Sequence, residues 1–330
     1  MTQATLTLSN YFYESMIHFP FIRDTPKSHQ SHPTSSDRCP PYRSADFRNL
    51  EQVIQEADQM FAQDKIFELF IFLNDKVETY AQECEYLWRL SRSYYHISKW
   101  ISRQKKEKRV PTKEFKQLSK LLAVSNQFNL HAETMNENFI GENTDKSIEI
   151  LAKAGLKAAH QAIKTNEKNA SAHKWYGISL QSNLIYQSKN IQLGTSFDIK
   201  KHFEKSIELN PRDPTTHHCL GCWHYEIANL PWYVISFASF MGTPYNSTVE
   251  NALTCFLQAE KVQENFYSQN LYMIACAYQK MSDFKNCQIY CDKIMRTFKP
   301  GKPEDTEVIE KTKVLKNSLE QGIPKMPIST

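Results

Sequence analysis

The chain has 330 residues, 41% hydrophobic and 23% charged, with a formal net charge of +4 and only 8 glycines. That balance suits a globular protein of one large domain or two small ones, and the weak charge does not call for nucleic acid. So little glycine argues against a hairpin-rich β fold or a glycine-rich phosphate loop, and no apolar run reaches the roughly 18 residues of a membrane span.

In chain order, "YFYESMIHFPF" at 11–21 is apolar but short, and the following residues 23–45 are rich in Pro, Ser, Thr and His without a period. Residues 1–45 therefore read as a disordered or loosely packed tail, with room for a short partner motif. From residue 46 to 320 the sequence predicts an all-α domain. "FRNLEQVIQEADQMFAQ" places Leu50, Val53, Ile54, Ala57, Met60 and Phe61 at helical spacing. "KIFELFIFLNDKVETY" follows after a short link, and "ECEYLWRLSRSYYHISKWI" is a third helix. Beyond a polar stretch, helical patterns recur as far as "FKNCQIYCDKIMRTF", and residues 321–330 read as a C-terminal tail.

The helices repeat. "IKTNEKNASAHKWYGISL" (163–180) and "IELNPRDPTTHHCLGCWH" (207–224) each close one helix, turn through an asparagine-centred loop and open another. Tetratricopeptide repeats carry W-x2-L-G-x2-Y on a first helix and A-x3-F with a proline on a second. At that spacing stand His173, Tyr176, Gly177 and Leu180, with Trp175 beside them, and then His217, Leu220, Gly221 and His224. The second helices supply Ile199 and Phe203 with Pro211, then Ala252 and Phe256, and a last unit gives Leu271, Ile274, Ala275 and Tyr278 with Cys287 and Cys291. "LWRLSRSYY" is a degenerate first unit running from Trp88 to Tyr95. The small residue lets two helices approach and the large ones fill the gaps beside it. Each pair buries only part of its apolar surface, so neighbouring pairs stack. The expected fold is a tetratricopeptide-like helical solenoid.

"TTHHCLGCWHYEI" (215–227) gathers zinc's usual ligands in one stretch, namely His217, His218, Cys219, Cys222 and His224. A zinc site normally brings a second ligand pair, and no second CxxC exists in the chain. Cys219 and Cys222 flank the repeat glycine, where a small apolar residue is wanted. They are expected in the core, with a His/Cys metal site as the alternative. The eight cysteines, with no secretory signal ahead of them, read as reduced thiols. No P-loop, G-x-S-x-G, dinucleotide fingerprint or H-E-x-x-H appears. Neither catalysis nor a cofactor is expected.

The spacing between units exceeds the usual 34 residues of such repeats, at 44 from Gly177 to Gly221 and 54 from Gly221 to Ala275. The surplus is expected between the first and second helices of each pair, as insertions on one edge. The insertion near 100–143 is the most charged: 102–116 holds seven Lys or Arg, with Arg103, Lys105, Lys106, Lys108 and Arg109 close together. It reads as a solvated loop or as a polybasic contact for an acidic partner. The stretch 229–246 carries no Lys, Arg, Asp or Glu, and its Trp232, Tyr233, Phe237 and Phe240 read as an extra core helix or as a hydrophobic contact for a partner or lipid.

"SAHKWYGISL", "IKKHFEKSIELNPRD", "LPWY" followed by "GTP", and "NALTCFLQAEKVQENFYSQNLYMIACAY" resemble, in that order, the regulator of microtubule dynamics family. The resemblance covers about 145–320 well and 47–100 weakly. It implies a tetratricopeptide-like fold and association with microtubules or a microtubule-associated adaptor, in the cytoplasm, the cytoskeleton and at spindle poles. Some members sit at mitochondria and have been linked to lipid binding, so a lipid-binding domain at organelle contacts is the alternative. His173, Lys174, Trp175, Tyr176, Pro231, Trp232 and Tyr233 carry over as family-typical positions. No membrane helix is seen near the N-terminus, so anchoring of that kind is not expected, and the 100–143 stretch has no counterpart.

Overall fold

A computed structural model describes residues 44–108, 112–124, 139–187, 189–232, 235–236 and 246–320. Among the described residues there is no β-strand, and the regular structure is helical. The chain divides into two compact units, one ending at Asn183 and the other holding the described residues from Leu184 onward. The tail expected over 1–45 lies outside the described residues except for Ser44 and Ala45, which already belong to the first helix; the expected tail 321–330 also lies outside.

The N-terminal unit begins with α1 (Ser44–Ala62) and α2 (Ile66–Asp75). Leu50, Val53 and Ala57 form the buried stripe of α1, and Ile66, Leu69, Phe70 and Leu73 that of α2. Asp64, with φ of 58°, makes the tight turn between them. Both pack on α3 (Cys84–Lys106), a helix buried on nearly all sides through its first four turns. The Tyr94 hydroxyl donates to Asn74 Oδ1 at 2.8 Å, and the Tyr86 hydroxyl donates to the Leu73 carbonyl.

Next come α4 (Thr112–Val124), the one-turn α5 (Phe139–Glu142), α6 (Thr144–Thr165) and α7 (Ala170–Leu184). Small residues on α6 let it approach α3 closely: Ala154, Ala158, Ala159 and Ala162 are buried, and a Cβ added to Gly155 would stand 3.1 Å from Tyr94 Cβ. Helix α7 completes the layer through Ser91 Oγ to Ser179 Oγ at 2.9 Å and Asn183 Nδ2 donating to the Ala152 carbonyl at 2.8 Å. Trp175, fully buried, packs on Tyr95 and His96, and Tyr176 stacks on His160.

The sequence pattern did not announce the charges under α3. Arg89 and Arg92 are buried, and Asp58 of α1 binds both, at 2.6 and 2.8 Å. Glu85 takes Arg89 from the other side at 2.7 Å. Arg92 also lies 4.0 Å over the Phe61 ring. Burial alone would raise the Asp58 carboxyl, but the two guanidinium groups outweigh it and hold that carboxyl below its usual range.

The C-terminal unit runs α8 (Lys189–Leu209), α9 (Pro214–Ala228), α10 (Val249–Val262), α11 (Ser268–Lys280), α12 (Phe284–Thr297) and α13 (Pro303–Glu320). The starts are specified locally. Asp213 caps α9 ahead of a proline in its first turn, and Thr248 with Asn251 forms a reciprocal capping box on α10. Asp283 caps α12 by accepting from the Asn286 amide. A close approach in this unit lies where the repeat register requires a small residue: a Cβ added to Gly221 would fall 2.6 Å from two atoms of the buried Phe256 ring. Ala252, Leu220, Phe203, Cys287 and Cys291 are buried, while Pro211 is exposed in the turn before α9.

Two expectations change. The surplus length between Gly177 and Gly221 is not an inserted loop, because only residues 185–188 separate α7 from the 21-residue α8. The charged stretch after Trp100 is not a plain loop either, since α3 continues to Lys106 and α4 follows from Thr112.

The Cys/His stretch is a packed core element. His218 Nδ1 faces Asn270 Oδ1 at 3.0 Å, and Asn270 Nδ2 donates to the Phe256 carbonyl at 3.0 Å, so this network ties α9, α10 and α11 together. An amide oxygen only accepts, so Nδ1 carries the proton. Nε2 is then left to accept from Cys222 Sγ at 3.5 Å. His217 instead bonds the Pro211 carbonyl, as its repeat counterpart His173 bonds the Glu167 carbonyl, each six residues back. His224 turns to Ser247 Oγ. The side chains diverge rather than converge on one point, and among the described residues no group of three or more His, Cys, Asp or Glu is placed to hold a metal.

Burial pushes His218 down to about 4, so it is neutral in the fold. The unfolded chain takes up that proton below about 6.5, so stability is full above that pH and declines as pH falls towards 4. His218→Gln, which keeps an amide partner for Asn270 but cannot titrate, should flatten the decline by up to about 1.4 kcal/mol per pH unit. Urea denaturation midpoints across that window check it.

Candidate functional site

Helix α3 ends with Arg103, Lys105 and Lys106 in its last turn, where cations are favoured by the helix dipole. Glu107 closes it through its backbone N–H on the Arg103 and Lys105 carbonyls, and Lys108 turns the chain with φ of 53°. Lys105, Lys106 and Lys108 are exposed; Arg109 lies outside the described residues. Arg103, Lys105 and Lys106 thus stand on the end of a 23-residue helix, with Lys108 in the turn beyond it.

Helix α4 extends the charge. Its buried face is Phe115, Leu118 and Ser119, with Phe115 edge-on to Trp100 at 5.9 Å. Ser119 Oγ receives the Ile140 amide at 3.1 Å and donates to the Phe115 carbonyl at 2.8 Å, holding α5 against α4. Lys113, Lys116 and Lys120 fall at i, i+3 and i+7, with Lys113 and Lys120 exposed. Lys146 follows at the start of α6.

Between these elements lies an open cavity of about 480 Å³, lined by Lys105, Lys108, Phe115, Gly141, Asp145 and Lys146 among others. Lys105 Nζ donates to both oxygens of Asp145, at 2.7 and 2.8 Å, and pins α3 to α6 across it. Lys146 pairs with Glu149 at 2.9 Å. The N-terminus of α6 faces the same region, and its N-cap Asn143 makes no side-chain cap bond. Among the described residues the arrangement presents exposed ammonium groups around a mostly polar cavity with Phe115 in its wall.

The sequence-predicted hydrophobic contact belongs to the C-terminal unit. Leu230 is buried, and Trp232 just after it is 77% exposed; Tyr233, Phe237 and Phe240 lie outside the described residues. No described helix is long and apolar enough to cross a membrane. The basic residues that the sequence reading did not single out, Lys113, Lys120 and Lys146, were legible only once α4 and α6 had been placed. The i, i+3, i+7 spacing in "TKEFKQLSK" was the available signal.

Paired helices in this register, with a small residue beneath a large aromatic one and a charged outer end, define a tetratricopeptide-like helical-repeat protein. Residues 132–320 match the family Regulator of microtubule dynamics protein 1-3, and the chain belongs to that family. Regulator of microtubule dynamics protein 1 of Bos taurus is 30% identical over 72% of this chain and 62% of its own length. The Homo sapiens protein of that name is 37% identical over 44% of this chain and 47% of its own. Regulator of microtubule dynamics protein 3 of Rattus norvegicus is 26% identical over 72% of this chain and 42% of its own. The chain thus spans about three fifths or less of these relatives. Among solved structures, a thermophilic TPR protein of Thermus thermophilus superposes over 80% of this chain and 97% of its own, with a TM-score of 0.47 and 10% identity.

Proposed function

We propose that this protein influences microtubule dynamics as a non-enzymatic helical-repeat scaffold. Its basic surface at the ends of α3, α4 and α6 holds the acidic fringe of the microtubule, directly or through an adaptor at the cytoskeleton and spindle. The observation that carries the reading is the set of exposed lysines formed by Lys106 at the end of α3, Lys108 in the turn after it, and Lys113 and Lys120 on α4. The relatives' names supply the partner, and charge complementarity supplies the physical reason, since tubulin's C-terminal tails are acidic.

Exposed charges are screened over about 8 Å at physiological salt, so binding should weaken steeply as salt rises. The test reverses Lys106, Lys108 and Lys113 to Glu and leaves Lys105 in place, because Lys105 holds Asp145. Co-sedimentation with microtubules should fall at least tenfold while the thermal midpoint stays unchanged. Binding that is indifferent to both salt and charge reversal overturns this surface as the contact. A release seen with Trp232→Asp but not with charge reversal would place the contact on the hydrophobic stretch instead.

A further inference from the structure

In the C-terminal unit, Ser247 stands in the short non-helical stretch just ahead of α10, between the exposed Asn246 and Thr248. Thr248 holds extended backbone, with φ of −122° and ψ of 165°. That is the form in which recognition clefts take a peptide segment. Ser247 itself is half-buried, and its Oγ lies 2.9 Å from His224 Nδ1 of α9. Three positions on, Glu250 is exposed in the first turn of α10. The Thr248 side chain and the residue's own backbone N–H hold the Glu250 carboxyl below its usual range, so it is ionised. Serine or threonine with an acid three positions on also occurs at Thr34, Thr134 and Thr195. Thr34 and Thr134 lie outside the described residues, and Thr195 sits inside the regular helix α8. Among the described residues, Ser247 is therefore the one such position on non-helical backbone.

The surroundings suit an added phosphate. A phosphoserine carries close to two negative charges and three acceptor oxygens. At position 247 it stands at the N-terminal end of the 14-residue α10, where a helix favours negative charge. It also stands against an imidazole that one proton turns into a cation. Burial and the ammonium of Lys200 hold His224 below its ordinary value, so in the unmodified chain it is neutral at pH 7. The charged groups acting on His224 from α8 are Lys200 and Glu204, which pair with each other at 2.8 Å. Cys255 of α10 feels the same pair, and burial pushes its thiol up to about 11, so it stays neutral.

We propose that Ser247 is a phosphorylation site for a kinase that reads an acidic residue three positions after its target, and that the phosphate clamps the start of α10 to His224 of α9. In the transfer, Ser247 Oγ attacks the γ-phosphorus of a nucleoside triphosphate. The bond from that phosphorus to the bridging β-phosphate oxygen breaks, the nucleoside diphosphate leaves, and the hydroxyl proton passes to the kinase's base. The dianion then favours a proton on His224, and a neutral hydrogen bond between α9 and the start of α10 becomes a charge-assisted one. The site is independent of the basic surface in the N-terminal unit.

The test treats the intact chain with ATP and an acid-directed serine/threonine kinase that phosphorylates the free 243–254 peptide, and maps the product by mass spectrometry. Ser247 should carry a phosphate that Ser247→Ala loses. Glu250→Gln, a change at an exposed position, should cut the initial rate at Ser247 at least tenfold. By NMR, His224 should titrate higher in the phosphorylated chain than in the unmodified one, by about one pH unit or more. A folded chain that takes no phosphate at Ser247 overturns the proposal, and so does a rate indifferent to Glu250→Gln. Phosphorylation that leaves the His224 titration unmoved overturns the clamp.

Discussion

Replacing Gly221 by any larger residue should destabilise the C-terminal unit. At a solvent-facing helix position, Gly→Ala stabilises by about 1 kcal/mol, because glycine is a poor helix former. Here the added methyl would meet the Phe256 ring at 2.6 Å. Phe256 is fully buried and packed beside His218, so the ring has little room to yield. Gly221→Ala should therefore destabilise, and Gly221→Leu should cost about 3 kcal/mol, at the upper end of the usual penalty for overpacking. Paired Phe256→Ala should recover part of the Leu variant's loss by opening space for the new side chain. Urea denaturation of the four proteins checks this; a Gly221→Ala variant more stable than the parent would mean that the two helices are not in this register.

Removing Asp58 should cost the N-terminal unit nearly as much. Deleting one partner of a buried ion pair typically costs about 3–5 kcal/mol, because the remaining charge stays buried alone. The Asp58 side chain is 42% exposed and Glu85 still holds Arg89, which together reduce the expected loss for Asp58→Ala to about 2 kcal/mol. The sign with pH follows from the depressed carboxyl. Its contribution is present above the unfolded value of 3.8 and is lost as pH falls through the lower folded value. The gap between parent and Asp58→Ala should thus be full at neutral pH and close in acid. A gap that widened in acid would mean that Asp58 does not hold the two arginines.

These two sites differ in how far the sequence disclosed them. Gly221 was legible because one small residue recurs against large ones at a fixed spacing, and because the ring it must admit, Phe256, sits where the second-helix pattern puts it. The Asp58–Arg89–Arg92 cluster was not legible. It joins residues 31 and 34 positions apart, and buried arginines look like surface charge until the helices are placed. At "HHCLGCWH" composition alone suggests a metal, but the repeat register already pointed to the core, where Cys219 and Cys222 are buried and His217, His218 and His224 turn to three different partners.

Two helices escaped the sequence reading for a shared reason. In α4 and α13 the polar and charged residues together outnumber the apolar ones, so a reading by composition takes them for loops. Yet Phe115 and Leu118, and Val308, Ile309 and Leu315, are spaced to bury one face. Placing α4 bears on the proposed contact, because Lys106 and Lys113 then stand on helices rather than on a loop. Fixed charges lose less side-chain and backbone freedom on binding than charges on a loop.

The most direct test of a basic microtubule contact leaves this protein unaltered and changes the partner. Microtubules whose acidic C-terminal tails have been removed by limited proteolysis should bind the chain at least tenfold more weakly than intact ones at the same salt. The weakening should match that produced by Lys106→Glu, Lys108→Glu and Lys113→Glu together. Undiminished binding to the tailless lattice would contradict the account.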